Sequence, residues 1–176
     1  ISYGTLPSEA VETAAARVRS LGRELARERD EVAIPGDLVP GEVPGLGRDR
    51  VCSAFHVADA ARDLLSRSTG RPLAWIAIET APNMAVGTAP WGPFSAGVSA
   101  ASVITAGSAT PAIGEALAVV VGKDLHRHPF ALAAVAELRS RGDVIVVDMG
   151  WPLPDCDGID IATFGASRLV GAALLD

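Results

Sequence analysis

The chain has 176 residues, of which 49% are hydrophobic and 20% are charged. At about 100–200 residues per domain, this length allows one compact domain with an appended arm. It is too short for a (β/α)₈ barrel, which needs about 250 residues. Twenty-one acidic against fifteen basic side chains give a net charge of −6, and only 5% of the residues are aromatic. This composition argues against a nucleic-acid partner.

Two cysteines, Cys52 and Cys156, are too few for the disulfide framework of a small secreted protein. The sequence has no run of about 18 apolar residues, and no signal-like segment follows Ile1. We therefore expect free thiols, a cytoplasmic protein and no membrane partner. Because Ile1 stands where a start methionine would, we also expect the chain to be part of a longer protein.

The first predicted element is an amphipathic helix from Ser8 to about Asp30, because apolar residues recur there at spacings of three and four. The opposite face carries arginine and glutamate side chains, as is typical of a solvated surface. Segment 33–47 is rich in proline and glycine, so we expect a linker arm. The sequence thus predicts a leading helix with its arm over residues 1–47 and an α/β domain over residues 48–176.

Helices and strands alternate through the remaining chain. The predicted strands are 73–79, 102–105, 116–121, 143–149 and 159–163, and the predicted helices are 56–67, 95–101, 128–142 and a last one capped by Ser167. Continuous apolar strands are typical of a sheet covered on both faces. We predict an α/β fold with a doubly wound, mainly parallel sheet, a flavodoxin-like three-layer sandwich. Strands 116–121 and 143–148 are expected to be parallel neighbours joined through helix 128–142.

The sequence lacks several common motifs of catalysis and cofactor binding. Arg50 stands where a dinucleotide fingerprint needs its third glycine, and Asp124 stands where a P-loop needs serine or threonine. There is no GxSxG serine elbow. Cys52 and His56 are four residues apart and would form a thiolate pair on one helix face, but two residues at the edge of a core are the simpler interpretation. We therefore predict no catalytic residue, no cofactor and no metal site.

The loop that follows strand 116–121 is the main candidate for binding. Ligands of open parallel sheets bind at the carboxyl ends of the strands, where the strand order reverses. In a flavodoxin-like order this loop faces the segment after strand 73–79, which contains Glu79 and Trp91. Histidine, arginine and carboxylate side chains suit a polyol or a sugar ring. The candidates for contact with a substrate or a partner domain are Asp124, His126, Arg127, His128 and Asp148.

A structural interpretation of the same loop stays open at this point. Asp124 and His128 precede a helix, where they would cap its first turn. In that case His126 and Arg127 are solvated or contact another domain.

Three segments resemble the carboxy-terminal α/β domain of family 3 glycoside hydrolases, above all the bacterial two-domain β-N-acetylhexosaminidases. They are VVVGKDLHRHPFALAAVAELRSRGDVIVVDMGWP, IATFGASRLVGAALLD and APNMAVGTAPWG. In the family, a strand enters a Lys/Arg-Asp-x-His-Arg-His-Pro loop and a later strand ends in Met-Gly-x-Pro. The resemblance covers residues 73–176, and residues 8–72 only weakly.

The chain departs from the family in its catalytic residues. The family resembles other retaining glycosidases, in which a carboxylate nucleophile and an acid/base group flank the scissile bond. Both groups come from an amino-terminal barrel, the acid/base pair from a Lys-His-Phe-Pro-Gly-His-Gly loop. No such segment occurs in this sequence. The resemblance thus implies that the barrel is this domain's partner and that the domain alone is inactive.

Two hypotheses of function follow. The resemblance implies a domain that supports the barrel of a hydrolase acting on terminal β-linked N-acetylglucosamine or a related sugar, and that lines one side of the sugar site. Such a domain should expose an apolar patch where the barrel docks. The alternative is a separate α/β module that binds a small ligand or a partner without catalysis, and it should have a closed polar surface.

Overall fold

The computed structural model describes residues 8–31, 46–80, 89–152 and 158–176. Contacts within the chain divide it into two units, residues 1–39 and 40–176. The first unit contains helix α1 (Ser8–Glu31), which confirms the predicted leading helix. Of the predicted arm at 33–47, only Leu46 and Gly47 lie within the described residues, so its role as a linker stays a prediction.

A six-stranded sheet in the order β1-β6-β5-β4-β2-β3 forms the centre of the second unit. The strands are β1 (His56–Val57), β2 (Leu73–Ile78), β3 (Ser102–Ile104), β4 (Leu117–Gly122), β5 (Val144–Asp148) and β6 (Ile161–Ala162). Strand β1 pairs with β6 in the antiparallel direction, and all other pairs are parallel. The five parallel strands follow the order of flavodoxin-like sheets, so the predicted α/β fold with a mainly parallel sheet is confirmed.

Strands β4 and β5 form the middle of the sheet. They run parallel with Ala118 opposite Val144 and Gly122 opposite Asp148. The chain passes from one to the other through α5 (Pro129–Arg141). This confirms the predicted pair of neighbouring strands, and it places Asp148 beside the start of the loop that follows β4.

Two hydrophobic clusters divide the side chains of these strands according to the alternation of a β-strand. Val120 and Val146 belong to one cluster together with Leu138 of α5. Val119 and Val147 belong to the other, which also contains Leu64, with Val170 packed against it. The other helices of this unit are α2 (Arg48–Cys52), α3 (Asp59–Arg67), α4 (Gly92–Ser95) and α6 (Arg168–Ala173). Because α5 packs in one cluster and α3 and α6 in the other, apolar side chains cover both faces of the central strands.

Two predicted helices differ from the structure. Residues 56 and 57 form β1 instead of the first turn of a helix, because pairing with β6 outweighs their local preference. The helix predicted at 95–101 is wrong: the helix in this region is α4, which starts at Gly92 with Pro93 in its first turn and ends at Ser95, and Gly97 follows at φ +107°. The predicted cap of the last helix is confirmed, since the Ser167 hydroxyl accepts a hydrogen bond from the Val170 amide.

Candidate functional site

The carboxyl ends of the parallel strands bring the chemically distinctive residues to one edge of the sheet. Glu79 follows β2, Lys123 and Asp124 follow β4, and Trp151 lies three residues after the end of β5. From β2 the chain goes first to β3 on one side and then to β4 on the other, so the strand order reverses between β2 and β4. Ligands of open α/β sheets bind outside such a point.

At this position Glu79, Trp91 and Lys123 form a cluster that we call the switch-point cluster. The Lys123 ammonium nitrogen lies 4.3 Å from the centroid of the Trp91 ring. The indole Nε1 of Trp91 donates a hydrogen bond of 2.8 Å to Glu79 Oε1. This confirms the prediction that the loop after β4 faces the segment after β2. The indole is oriented by the carboxylate, and the lysine charge is attracted by its ring.

Asp148 was predicted to contact a substrate or a partner, and the structure corrects this. The residue is 0% exposed. Its Oδ1 accepts hydrogen bonds from the amides of Asp124 (2.9 Å) and Gly150 (2.8 Å), and its Oδ2 accepts one from the amide of Leu125 (2.8 Å). A buried carboxylate with three backbone donors is satisfied within the protein. Asp148 therefore positions the loop and offers no surface to a ligand.

Asp124 forms the second half of this arrangement. Its backbone is left-handed, with φ +51° and ψ +43°, a conformation that aspartate tolerates better than most residues. Its Oδ1 accepts a hydrogen bond of 2.8 Å from the Trp151 amide. We call the carboxylates of Asp124 and Asp148, with the amides they bind, the loop brace. It ties the loop after β4 to the loop after β5.

The capping interpretation of the candidate loop is wrong in its detail. Neither Asp124 nor His128 makes a side-chain capping hydrogen bond. His128 occupies the N-cap position of α5 through its backbone carbonyl, which accepts from the amides of Ala131 and Leu132. Its half-buried ring lies 6.0 Å from the ring of Phe130.

A short 3₁₀ turn, Leu125–Arg127, presents the remaining candidates. Leu125 is buried and anchors the turn in the hydrophobic core. Arg127 is exposed and His126 is half-buried, so neither lies deep in the core, as predicted. Within the described residues the buried Nδ1 of His126 has no hydrogen-bond partner. The turn therefore presents an imidazole and a guanidinium at the carboxyl edge of the sheet.

An exposed aromatic pair at the same edge did not emerge from sequence analysis. The rings of Trp151 and Phe164 meet edge to face at 5.6 Å, and the side chains are 73% and 41% exposed. Phe164 has φ +54°, which a bulky residue rarely adopts. Trp151 follows shortly after β5, and Phe164 follows shortly after β6. This position after a predicted strand is the sequence feature that could have identified the pair.

Cys52 is not half of a thiolate pair. It ends α2 whereas His56 begins β1, so the two do not share a helix. The thiol donates a hydrogen bond to the carbonyl of Ala173. Burial, reinforced by the nearby charges of Asp176 and Asp49, raises the pKa of Cys52 above its usual value. The protonated thiol is favoured, which argues against a nucleophile.

The fold and this edge define the class of protein: an α/β protein with a mainly parallel sheet in flavodoxin-like order and a polar cluster at its switch point. Comparisons with protein-family models, with curated proteins and with solved structures give no match. Among residues 8–31, 46–80, 89–152 and 158–176, no group of three or more His, Cys, Asp and Glu is placed to hold a metal ion. None of the helices described here is long and apolar enough to cross a membrane.

Proposed function

We propose that this chain is the α/β domain of a glycoside hydrolase resembling family 3, and that the carboxyl edge of its sheet lines a sugar site beside a catalytic barrel. The resemblance implies a retaining β-N-acetylhexosaminidase as the parent enzyme. The proposal assigns substrate contact to His126, Arg127 and the switch-point cluster, whereas the loop brace holds their loop in place.

The observation that carries the proposal is the contact between Lys123 and Trp91. These residues belong to two separate segments of the resemblance, the Lys-Asp-x-His-Arg-His-Pro loop and the Pro-Trp-Gly segment. They meet at 4.3 Å at the point where α/β sheets bind ligands. Two distant motifs of one resemblance thus converge on one site.

The chemistry of this edge suits a sugar. Sugar hydroxyl and acetamido groups need both donors and acceptors around a partly apolar surface. Lys123 and Arg127 supply donors, Glu79 supplies an acceptor, and His126 supplies either, according to its tautomer. The partly exposed indole of Trp91, beside Lys123, adds an apolar surface.

The exposed aromatic pair supports the proposed barrel partner. Soluble proteins seldom leave a tryptophan as exposed as Trp151, at 73%, and tryptophan is enriched at the energetic centres of protein interfaces. Together with Phe164 it gives the carboxyl edge an apolar patch. The hydrolase hypothesis expects such a patch, and the hypothesis of a closed polar module does not.

The test of the sugar site is a titration of the chain with N-acetylglucosamine, followed by amide and indole NMR signals. We expect the Trp91 indole and the amides of residues 123–128 to shift together. Arg127→Ala should weaken binding about fivefold, the value of one hydrogen bond, without lowering the melting temperature. Arg67→Ala is the matched control, since it removes the same charge at the end of α3, which precedes β2 and so leads to the opposite edge of the sheet.

Two outcomes would overturn the proposal. If no signal of residues 79, 91 or 123–128 moves with N-acetylglucosamine or its β-1,4 dimer, this edge is not a sugar site. If the coding sequence upstream of Ile1 lacks a barrel with a carboxylate nucleophile and a His-Asp loop, the chain is not a domain of such a hydrolase.

A further inference from the structure

Gly171 lies inside α6, although glycine is the poorest helix former after proline. The packing of α6 explains this choice. A β-carbon at Gly171 would overlap the carbonyl group of Gly92 and the backbone nitrogen of Pro93. Because glycine alone has no β-carbon, only glycine at this position lets the backbones of α6 and α4 touch.

Gly92 is enclosed from its other side as well. Its amide donates a hydrogen bond of 3.0 Å to the carbonyl of Ala166. Its backbone is left-handed, with φ +53°, a conformation that glycine adopts without steric cost. A β-carbon at Gly92 would lie 2.5 Å from the sulfur of Met149. Gly92 thus fits between Gly171 of α6 and the Met149 side chain in the loop after β5.

Trp91 of the switch-point cluster is attached directly to this enclosed segment. Its carbonyl accepts hydrogen bonds from the amides of Phe94 (3.1 Å) and Ser95 (3.3 Å) in α4, and its ring meets the Phe94 ring edge to face at 5.6 Å. The backbone of Glu79 is fixed elsewhere, since its amide donates to the carbonyl of Ile104 in β3. A movement of α4 therefore changes the distance between the indole and the carboxylate.

We propose that Gly171 is a positioning residue of the switch-point cluster. Its missing side chain lets α4 approach α6, and this approach places the Trp91 indole against Glu79 and beside Lys123. A methyl group at Gly171 would force the two backbones apart by about 1 Å or more. Such a movement lengthens the bond of 2.8 Å from the indole to Glu79 beyond the range of a hydrogen bond.

The helix that yields to a methyl group at Gly171 is α4. Behind Gly92 lies the flexible end of the Met149 side chain, which can change its rotamer. By contrast, α6 is packed against the hydrophobic cluster of Val119 through Val170. It is also tied to α2, because the Cys52 thiol donates a hydrogen bond to the carbonyl of Ala173.

Exchange of the Trp91 indole N–H with water, measured by NMR on the whole chain without a ligand, tests this inference. We expect Gly171→Ala to raise the exchange rate about tenfold, because the indole loses a hydrogen bond to a charged group. Glu79→Ala removes the acceptor and gives the rate of an indole without this bond. Trp91→Phe identifies the signal.

Two control variants separate positioning from stability. Ala173→Gly weakens α6 without adding an atom near Gly92, so the melting temperature should fall while the indole exchange rate stays at the wild-type value. In Gly165→Ala the added carbon makes an ordinary contact of 3.5 Å with Val170 of the same helix. This variant should change neither quantity.

A double variant covers the case in which Gly171→Ala does not fold. Met149→Ala makes room behind Gly92, so in Gly171→Ala with Met149→Ala the backbone of α4 can move away from the new methyl group. We expect the same faster exchange in this double variant, with Met149→Ala alone as its reference.

Exchange at the wild-type rate in folded Gly171→Ala would overturn the inference, since Trp91 then keeps its hydrogen bond. Failure of both the single and the double variant to fold would also overturn it, because the contact would then serve stability alone. The consequence for sugar binding rests on the proposed function: Gly171→Ala should weaken the binding of N-acetylglucosamine about fivefold. If the wild-type chain binds no sugar, the proposed function fails, whereas the exchange rates still decide the role of Gly171.

Discussion

Asp148 shows how burial decides the use of a carboxylate. Its position at the end of an apolar strand made it a candidate for ligand contact, yet the side chain is fully enclosed and accepts three backbone hydrogen bonds. Asp124 lies in the loop after β4, and its carboxylate accepts a hydrogen bond from the Trp151 amide in the loop after β5. At the scale of single residues, the two carboxylates of the loop brace thus position the groups around them.

Replacement of Asp148 tests the loop brace. Asp148→Asn turns one acceptor oxygen into a donor that faces backbone amides, so we expect the free energy of unfolding to fall by about 3 kcal/mol. Asp124→Asn is the control: its side-chain oxygen can still accept from Trp151, and asparagine tolerates the left-handed backbone. We expect a change of about 0.5 kcal/mol or less there. Chemical denaturation measures both variants, and equal stabilities would contradict the brace.

At the scale of elements, the backbones of the loops after β4 and β5 approach each other closely. A β-carbon added at Gly150 would lie 2.5 Å from the Asp124 amide nitrogen. The next loop along the edge, after β6, carries Phe164 in a left-handed conformation. Close backbone approach and strained residues concentrate at functional sites of proteins. The carboxyl edge combines both features, which suits a rigid binding surface.

Gly150→Ala tests this close approach. The added methyl group must push the two loops apart, so we expect a loss of about 1–3 kcal/mol in the free energy of unfolding. Gly165→Ala is the control in the next loop, because its added carbon would make an ordinary contact of 3.5 Å with Val170. A change of about 0.5 kcal/mol or less is expected there. If Gly150→Ala is as stable as Gly165→Ala, the two loops are not held together as described.

At the scale of the whole molecule, the chain combines a site-bearing α/β unit with a helical unit of different character. The first has its apolar side chains in two clusters around a sheet, whereas the second exposes apolar side chains of α1, among them Val18 and Leu21.

Because the catalytic residues are proposed to lie in a separate barrel, this chain alone should be inactive. We expect purified chain to release no measurable product from an aryl β-N-acetylglucosaminide, because the family's nucleophile and acid/base pair come from the barrel. A chromogenic assay at high protein concentration measures this. Arg127→Ala distinguishes contamination from true turnover. Product release that falls about fivefold in this variant at low substrate concentration would place catalysis in this chain and contradict the assignment, whereas release by a contaminant would be unchanged.

Some elements of the fold and some features of the site could be predicted from the sequence, and others could not. Long apolar runs identified β2, β4 and β5, and the spacing of apolar residues identified α1 and α5, because buried faces impose a period that local sequence records. The short strands β3 and β6 were also predicted, but β1 was missed: His56 and Val57 form a strand through pairing with β6. The carboxyl-edge position of residues 124–128 followed from the order of elements alone, since parallel strands end at one edge.

The sequence alone determined the fold class, the leading helix and the loop on which the candidate residues lie, because these depend on hydrophobic periodicity and on turn residues close together in the chain. The tertiary structure alone decided the role of each side chain. It buried Asp148 under three amides, set Lys123 over the ring of Trp91 and left Trp151 and Phe164 exposed as a pair. These contacts join residues that are distant in sequence, and no local pattern records which amide, ring or solvent a side chain will meet once the strands have paired.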